Sequence, residues 1–260
     1  FANQKERNKG TDLNILEGDE FNAWKEIRTH IKYLELREYE LATYTGDGYF
    51  MDMHKVEKLE LPQKGMTVGN GVNRMYFANA DNLKKITIWN GSSSVDITDY
   101  ADPVLQNSVG EYMFSNCYNL STKYINRLIK DVNTEIKDYA FIIDDGNRDK
   151  SSPEVEGHNM AIVIPSTVTK IGSQAFYNRQ KVTGLNIHGN SGCLEIGSEA
   201  FGQCDELAKI TLDNITPAKK ELKIYKNAFK LCKQLHTFEN LNNANITYLG
   251  TGVFGDCRSM

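Results

Sequence analysis

Apolar positions recur along this chain in a spacing that changes character inside each recurrence. Between residues 196 and 212 they fall at Ile196, Ala200, Phe201, Cys204, Leu207, Ile210 and Leu212. The steps of three from Phe201 to Cys204 to Leu207 predict a short α or 3-10 turn, with Ser198 placed as its N-cap. Ile210-Thr-Leu212 then alternates with period two, which predicts a strand. The same phrase opens three units: Ile171-Gly-Ser-Gln-Ala-Phe176, Ile196-Gly-Ser-Glu-Ala-Phe201 and Ile224-Tyr-Lys-Asn-Ala-Phe229. Arg179 and Val182, Cys204 and Leu207, and Cys232 and Leu235 follow three and six residues after each Phe. A helical turn plus a strand of this length cannot bury its apolar side alone. It must stack on copies of itself, so the pattern predicts a solenoid.

Further units follow the same template. Phe254-Gly-Asp-Cys257 opens one that stops at Met260 before its strand and reads as truncated. Upstream, Met113-Phe114-Ser-Asn-Cys117-Tyr-Asn-Leu120 and Tyr76-Phe77-Ala-Asn-Ala80-Asp-Asn-Leu83-Lys-Lys-Ile86-Thr-Ile88 fit it, as do Phe50, Met53, Val56, Leu59 and Leu61. Ile31-Lys-Tyr-Leu34-Glu-Leu36 reads as one more strand, after a helical stretch with Phe21, Trp24 and Ile27. Residues 1–20 read as a flexible polar segment and 21–260 as the solenoid, irregular at 91–108, 121–133 and 144–159.

Phe-x-x-Cys-x-x-Leu-x-x-Ile-x-Leu, preceded by Ile-Gly-x-x-Ala-Phe, resembles the BspA-like class of leucine-rich repeats. Ile164-Pro-Ser-Thr-Val168-Thr-Lys-Ile171-Gly-Ser-Gln-Ala-Phe176 carries the same resemblance. It implies an α/β leucine-rich-repeat solenoid, a right-handed superhelix of short strand plus short helix or 3-10 units, with one strand-lined face. It also implies a secreted or surface protein of a host-associated bacterium or parasitic protist, several relatives being adhesins.

The three irregular stretches have separate readings. In 91–108, Ser92-Ser-Ser94 with Asp96, Asp99 and Asp102 reads as a polar loop. Ca²⁺ binding is the alternative, but the EF-hand glycine and terminal glutamate are missing. In 121–133, Tyr124, Ile125, Leu128, Ile129 and Val132 follow helical spacing behind a Ser121 cap. This helix replaces the expected strand, and packing on the convex side is the reading favoured over a docking surface. The run 144–159 is polar and rich in turn formers, an exposed loop open to proteolysis.

Net charge is -4, which gives no general basic field for nucleic acid. Lys219-Lys220 with Lys223 and Lys226 reads as a solvated turn. No apolar run approaches the roughly 18 residues of a membrane span. The chain starts at Phe1, which reads as a mature or trimmed chain after removal of a signal peptide, hence extracellular or on a bacterial cell surface. Cys117, Cys204, Cys232 and Cys257 share one repeat position and read as buried free thiols. Adjacent helical segments about 8–10 Å apart exceed the roughly 7 Å reach of a disulfide. Cys193, in a Gly-rich turn, is the accessible one. His30, His54, His158, His188 and His236 show no metal-ligand spacing, and His188 near Cys193 is too little for a nucleophile. No catalytic, cofactor or metal residue is assigned.

Candidate chemistry therefore falls on the strand face. Between the last two apolar positions the outward residues run Glu35, Glu60, Thr87, Asn186, Thr211 and Glu239. The neighbouring column runs Tyr33, Lys58, Lys85, Gly184, Lys209 and Thr237. Stacked strands about 4.8 Å apart predict continuous ladders of these residues, read either as a solvated sheet or as a recognition surface. The expectation is a non-enzymatic module that binds a host matrix protein, a glycoprotein or another cell surface through this face. The alternative is a structural spacer or stalk for neighbouring domains.

Overall fold

The computed structural model describes residues 19–36, 48, 50–63, 66–67, 75–144, 160–189, 192–213 and 220–260. Residues 1–18 of the segment expected to be flexible at 1–20, and residues 145–159 of the loop expected at 144–159, lie outside the described residues.

Each unit forms one coil, and the coils stack. Helix α1 (Asp19–Arg28) precedes strand β1 (Tyr33–Glu35). Trp24 sets its ring edge-on to Phe50 at 6.1 Å, and Arg28 pairs with Asp52 at 3.1 Å, tying α1 to the first coil. Strands β2 (Lys58–Leu61) and β4 (Lys85–Trp89) continue β1 as a parallel sheet, with β3 (Met66–Thr67) between them in sequence. Strand β5 (Ser94–Asp96) folds back antiparallel on β4 and ends that sheet. Strand β6 (Leu105–Gln106) pairs with β3, and β7 (Ser108–Val109) and helix α2 (Thr122–Ile129) follow.

The later strands alternate between two sheets. Strands β8 (Glu135–Ile136), β10 (Lys170–Ile171), β12 (Cys193–Ile196), β14 (Lys220–Ile224) and β16 (Ala244–Leu249) stack on β7 as a six-stranded parallel sheet. Strands β9 (Met160–Ile164), β11 (Val182–Ile187), β13 (Lys209–Leu212) and β15 (Thr237–Glu239) form a four-stranded parallel sheet. The six-stranded sheet was not expected. Leu194 and Ile196, like Leu222 and Ile224, alternate inward with polar partners, and both pairs are fully buried. Lys220 and Lys223 accordingly lie in β14 and not in a turn.

The arm expected to be helical is built from linked turns, and only two α-helices occur among the described residues. The residues two before and two after the motif Phe take left-handed backbone: Met75 and Asn79, Tyr112 and Asn116, Gln174 and Asn178, Glu199 and Gln203, Asn227 and Leu231, with φ from 52° to 64°. Alternate N–H groups then bond from coil to coil, while those between them close i→i−3 turns, as Tyr177 to Gln174 O at 3.1 Å and Gly202 to Glu199 O at 2.9 Å. Gln174, Phe176 and Asn178 donate their N–H groups to the carbonyls of Ser198, Ala200 and Gly202 at 2.8–2.9 Å. A left-handed residue costs about 1–2 kcal/mol. The arm accepts that because helices pack about 8–10 Å apart, whereas strands on the other sides hold coils about 4.8 Å apart. Ser198 consequently has no helix to cap.

This spacing also stacks the aromatic core. Phe50, Phe77, Phe114, Phe141, Phe176, Phe201, Phe229 and Phe254 form one file with centroid separations of 5.0–5.9 Å. The glycine of Ile-Gly-x-x-Ala-Phe is forced by the same closeness. A Cβ on Gly197 would stand 2.6 Å from the backbone carbon of Gly172 in the coil beside it.

None of the five cysteines forms a disulfide. The reason differs from the expected one, because coils at strand spacing are not too far apart for a disulfide. Cys117, Cys204, Cys232 and Cys257 instead donate their thiols to the carbonyls of Phe77, Phe176, Phe201 and Phe229 at 3.1–3.2 Å. Cys193 is half-buried, and so is Cys257.

Candidate functional site

The strand face is interrupted, not continuous. The row of strands stops at β5 and resumes at β9, and α2 occupies the place between them, against β9 and the 3-10 turn Ile97–Asp99. Tyr124, Ile125, Leu128, Ile129 and Val132 are buried as their spacing predicts, but the helix lies in the strand row and not on the convex side. Three polar side chains hold it there. Asn126 donates to Ala161 O at 2.8 Å and accepts from Val163 N at 3.0 Å, so its amide stands in for a neighbouring strand at the edge of β9. Arg127 donates to the carbonyls of Ile97, Tyr100 and Asp102 at 2.6–2.9 Å and pairs with Asp131 at 2.7 Å. Tyr124 donates its hydroxyl to Asp96 at 2.7 Å. Ser121 sits at the N-cap but makes no capping hydrogen bond.

Asp96 is therefore a structural anchor. Its carboxylate also accepts from the Thr98 N–H at 3.0 Å and the Thr98 hydroxyl at 2.9 Å, as an N-cap does. Burial opposes its ionisation, but the hydrogen bonds from Thr98 and Tyr124 and the charge of Lys85 outweigh that and hold its pKa below the usual value. Among the described residues, no group of three or more His, Cys, Asp or Glu is placed to hold a metal ion.

The two parts of the face differ in what they offer. Register places Tyr33, Lys58 and Lys85 in one column and Glu35, Glu60, Thr87 and Asp96 in the next. Glu60 and Thr87, read as outward, are 0% and 2% exposed. Thr87 donates to Glu60 at 3.4 Å, and Lys58 lies 3.8 Å from Glu60 and 3.2 Å from Ser94 Oγ. Lys85 pairs with Asp96 at 3.8 Å. These groups make a cross-linked polar layer, with Tyr33 exposed at its margin.

In the second part, Ala161, Gly184, Lys209 and Thr237 form one column and Val163, Asn186, Thr211 and Glu239 the other. Ala161, Val163, Asn186, Thr211 and Thr237 are half-buried, while Lys209 and Glu239 are exposed and paired at 3.2 Å. The face is small and uncharged near α2 and becomes charged toward β15. Sequence spacing supplied both columns from β11 onward but not Ala161 and Val163 on β9, and the side chain that ends them, Asn126, has no signature beyond its place on a helical pattern.

Comparison with known proteins places this geometry. A family model described as "BspA type Leucine rich repeat region" matches residues 28–144 and 158–260 in six copies. No curated protein matches the sequence. Among solved structures, the chain is similar to a leucine-rich repeat protein of T. pallidum, with 18% identity and a TM-score of 0.43 over 82% of this chain and 69% of that one. It is also similar to a leucine rich cell surface protein from Faecalibacterium prausnitzii A2-165, with 18% identity and a TM-score of 0.34 over 83% of this chain and 62% of that one.

Proposed function

Because the chain belongs to the BspA-type leucine-rich repeat family, we propose that it is a non-enzymatic binding module that works outside the cell or on its surface. Its partner is a macromolecule on another surface: a host matrix protein, a glycoprotein or a neighbouring cell. Leucine-rich repeats are generally protein-binding modules, and solenoids commonly bind along their strand faces. No helix among the described residues is long and apolar enough to cross a membrane.

The observation that carries the reading is the contrast between the two parts of the face. Around β2 and β4 the outward carboxylate and hydroxyl are buried and the lysines face carboxylates. A partner meeting that layer must break existing ion pairs, which makes contact there expensive. Around β9 and β11 the side chains are short and neutral, and Asn186 with Thr211 on β13 can donate or accept hydrogen bonds. We therefore assign recognition to Asn186, Thr211 and Thr237, with the exposed Lys209–Glu239 pair at one margin and Tyr33 at the other. Lys58, Glu60, Lys85 and Thr87 serve the join between the sheets.

The test is binding of the purified chain to immobilised matrix proteins, mucins and cell-surface glycans. Saturable binding to one of them supports the module. No binding across the panel favours the second reading, a spacer, for which the unbroken aromatic file and stiff coil stacking are the supporting observations.

A further inference from the structure

We propose that a small monovalent anion of halide size binds in the core beside Arg179, held by the unpartnered Nη2 of its guanidinium. The inference concerns the interior of the stack and does not depend on the strand-face reading.

The slot three residues past the motif Phe holds Met53, Ala80, Cys117, Cys204, Cys232 or Cys257 in other coils, all apolar or nearly so. In the coil of Phe141 that position is Asp144, which is exposed. The next coil places Arg179 there, only 6% exposed. Its side chain reaches across the vacated rung. Nε donates to Phe141 O at 2.7 Å, and Nη1 donates to Cys117 O at 3.1 Å and Leu120 O at 3.5 Å. Nη2 is buried and has no hydrogen-bond partner.

A guanidinium offers five N–H donors, and these contacts leave the two on Nη2 unused. Burial lowers its pKa only to about 10, so it stays charged at neutral pH. Among the described residues no carboxylate bears on its charge; the groups that do are Cys117, Cys204 and Tyr118. Burial pushes the Cys117 and Cys204 thiols up to about 12, so they carry no balancing charge. Three carbonyls solvate the cation without neutralising it, and a buried charge is ordinarily paired. A second donor is also unused: the hydroxyl of Ser121, the residue after Leu120, is buried without a partner. A halide accepts from Nη2 and supplies the negative charge that the three carbonyls do not. A water molecule would satisfy the donors but leave the charge unbalanced.

Thermal unfolding at constant ionic strength, with sodium chloride against sodium isethionate, tests this. It is run on the wild type and on Arg179→Cys, which installs the residue carried by Cys117, Cys204, Cys232 and Cys257 at the same slot. At chloride about a hundredfold above its Kd, the wild-type Tm should exceed the isethionate value by about 5 °C, and the variant should show no difference. Bromide-derivatised wild-type crystals should give an anomalous peak within hydrogen-bond reach of Nη2, a readout that holds even if the variant fails to fold. Equal wild-type Tm values in the two salts, the same shift in both proteins, or a water at Nη2 with no bromide peak would overturn the proposal.

Discussion

At the scale of single residues, the coil spacing decides which side chains are allowed. Gly197 sits with its missing Cβ 2.6 Å from the Gly172 carbonyl carbon, and Gly172 stands 2.4 Å from the Asp138 backbone nitrogen by the same measure. Neither neighbour is the tip of a flexible side chain, so neither can move aside. Gly197→Ala should destabilise the protein by about 2–3 kcal/mol, the range of an overpacked core. In a chain of this size that lowers Tm by about 5 °C, measured against Ser198→Ala as a near-neutral control. An unchanged Tm would mean that the coils stand further apart than strand spacing. The glycine was visible in the sequence as part of Ile-Gly-x-x-Ala-Phe, but its reason was not, since close approach of two backbones belongs to the stack and not to the unit. The steps of three through Phe, Cys and Leu misled in a similar way. A helix and a pair of left-handed turns both place every third residue inward, and only the hydrogen-bond direction separates them.

At the scale of elements, α2 is the join between two sheets, and polar contacts fasten it. Asn126 closes the edge of β9, Arg127 gathers the carbonyls of residues 97, 100 and 102, and Tyr124 fixes Asp96. The apolar spacing of this helix was legible in the sequence. Its neighbours were not, because Asn126 and Arg127 act through long-range contacts that leave no periodic trace. Asp96 gives the join a pH dependence. Its pKa is lowered from a reference of 3.8 in the folded state. The carboxylate therefore stabilises the fold fully above the unfolded-state value, and that contribution is lost as pH falls through the still lower folded value. Asp96→Asn should be less stable than the wild type at pH 7, and the gap in urea midpoint should narrow as pH drops below about 4. A gap that stays constant down to pH 2 would show that Asp96 acts through shape and not through charge.

At the scale of the whole molecule, the repeat predicted stacking correctly and predicted an unbroken face incorrectly. Periodicity gives the order of the outward residues. It reveals the helix that takes the place of a strand, but not the hairpin before it, nor that Glu60 and Thr87 end up buried in a polar layer. The second sheet was written in Leu194-Glu-Ile196 and Leu222-Lys-Ile224, but short alternations beside a stronger motif are easily absorbed into it. What results is a stack with a six-stranded sheet on one side, from β7 to β16, and on the other a row of strands divided by β5 and α2. The measurement that bears most directly on this account is the affinity of two variants for the ligand retained on the panel. Asn186→Arg/Thr211→Arg crowds the later strands, and Lys58→Glu/Lys85→Glu disturbs the earlier ones, with circular dichroism confirming the fold of each. The account predicts a loss of at least about tenfold, roughly 1.4 kcal/mol, for the first pair and a near-native affinity for the second. The reverse order, or equal affinity for both, would contradict it.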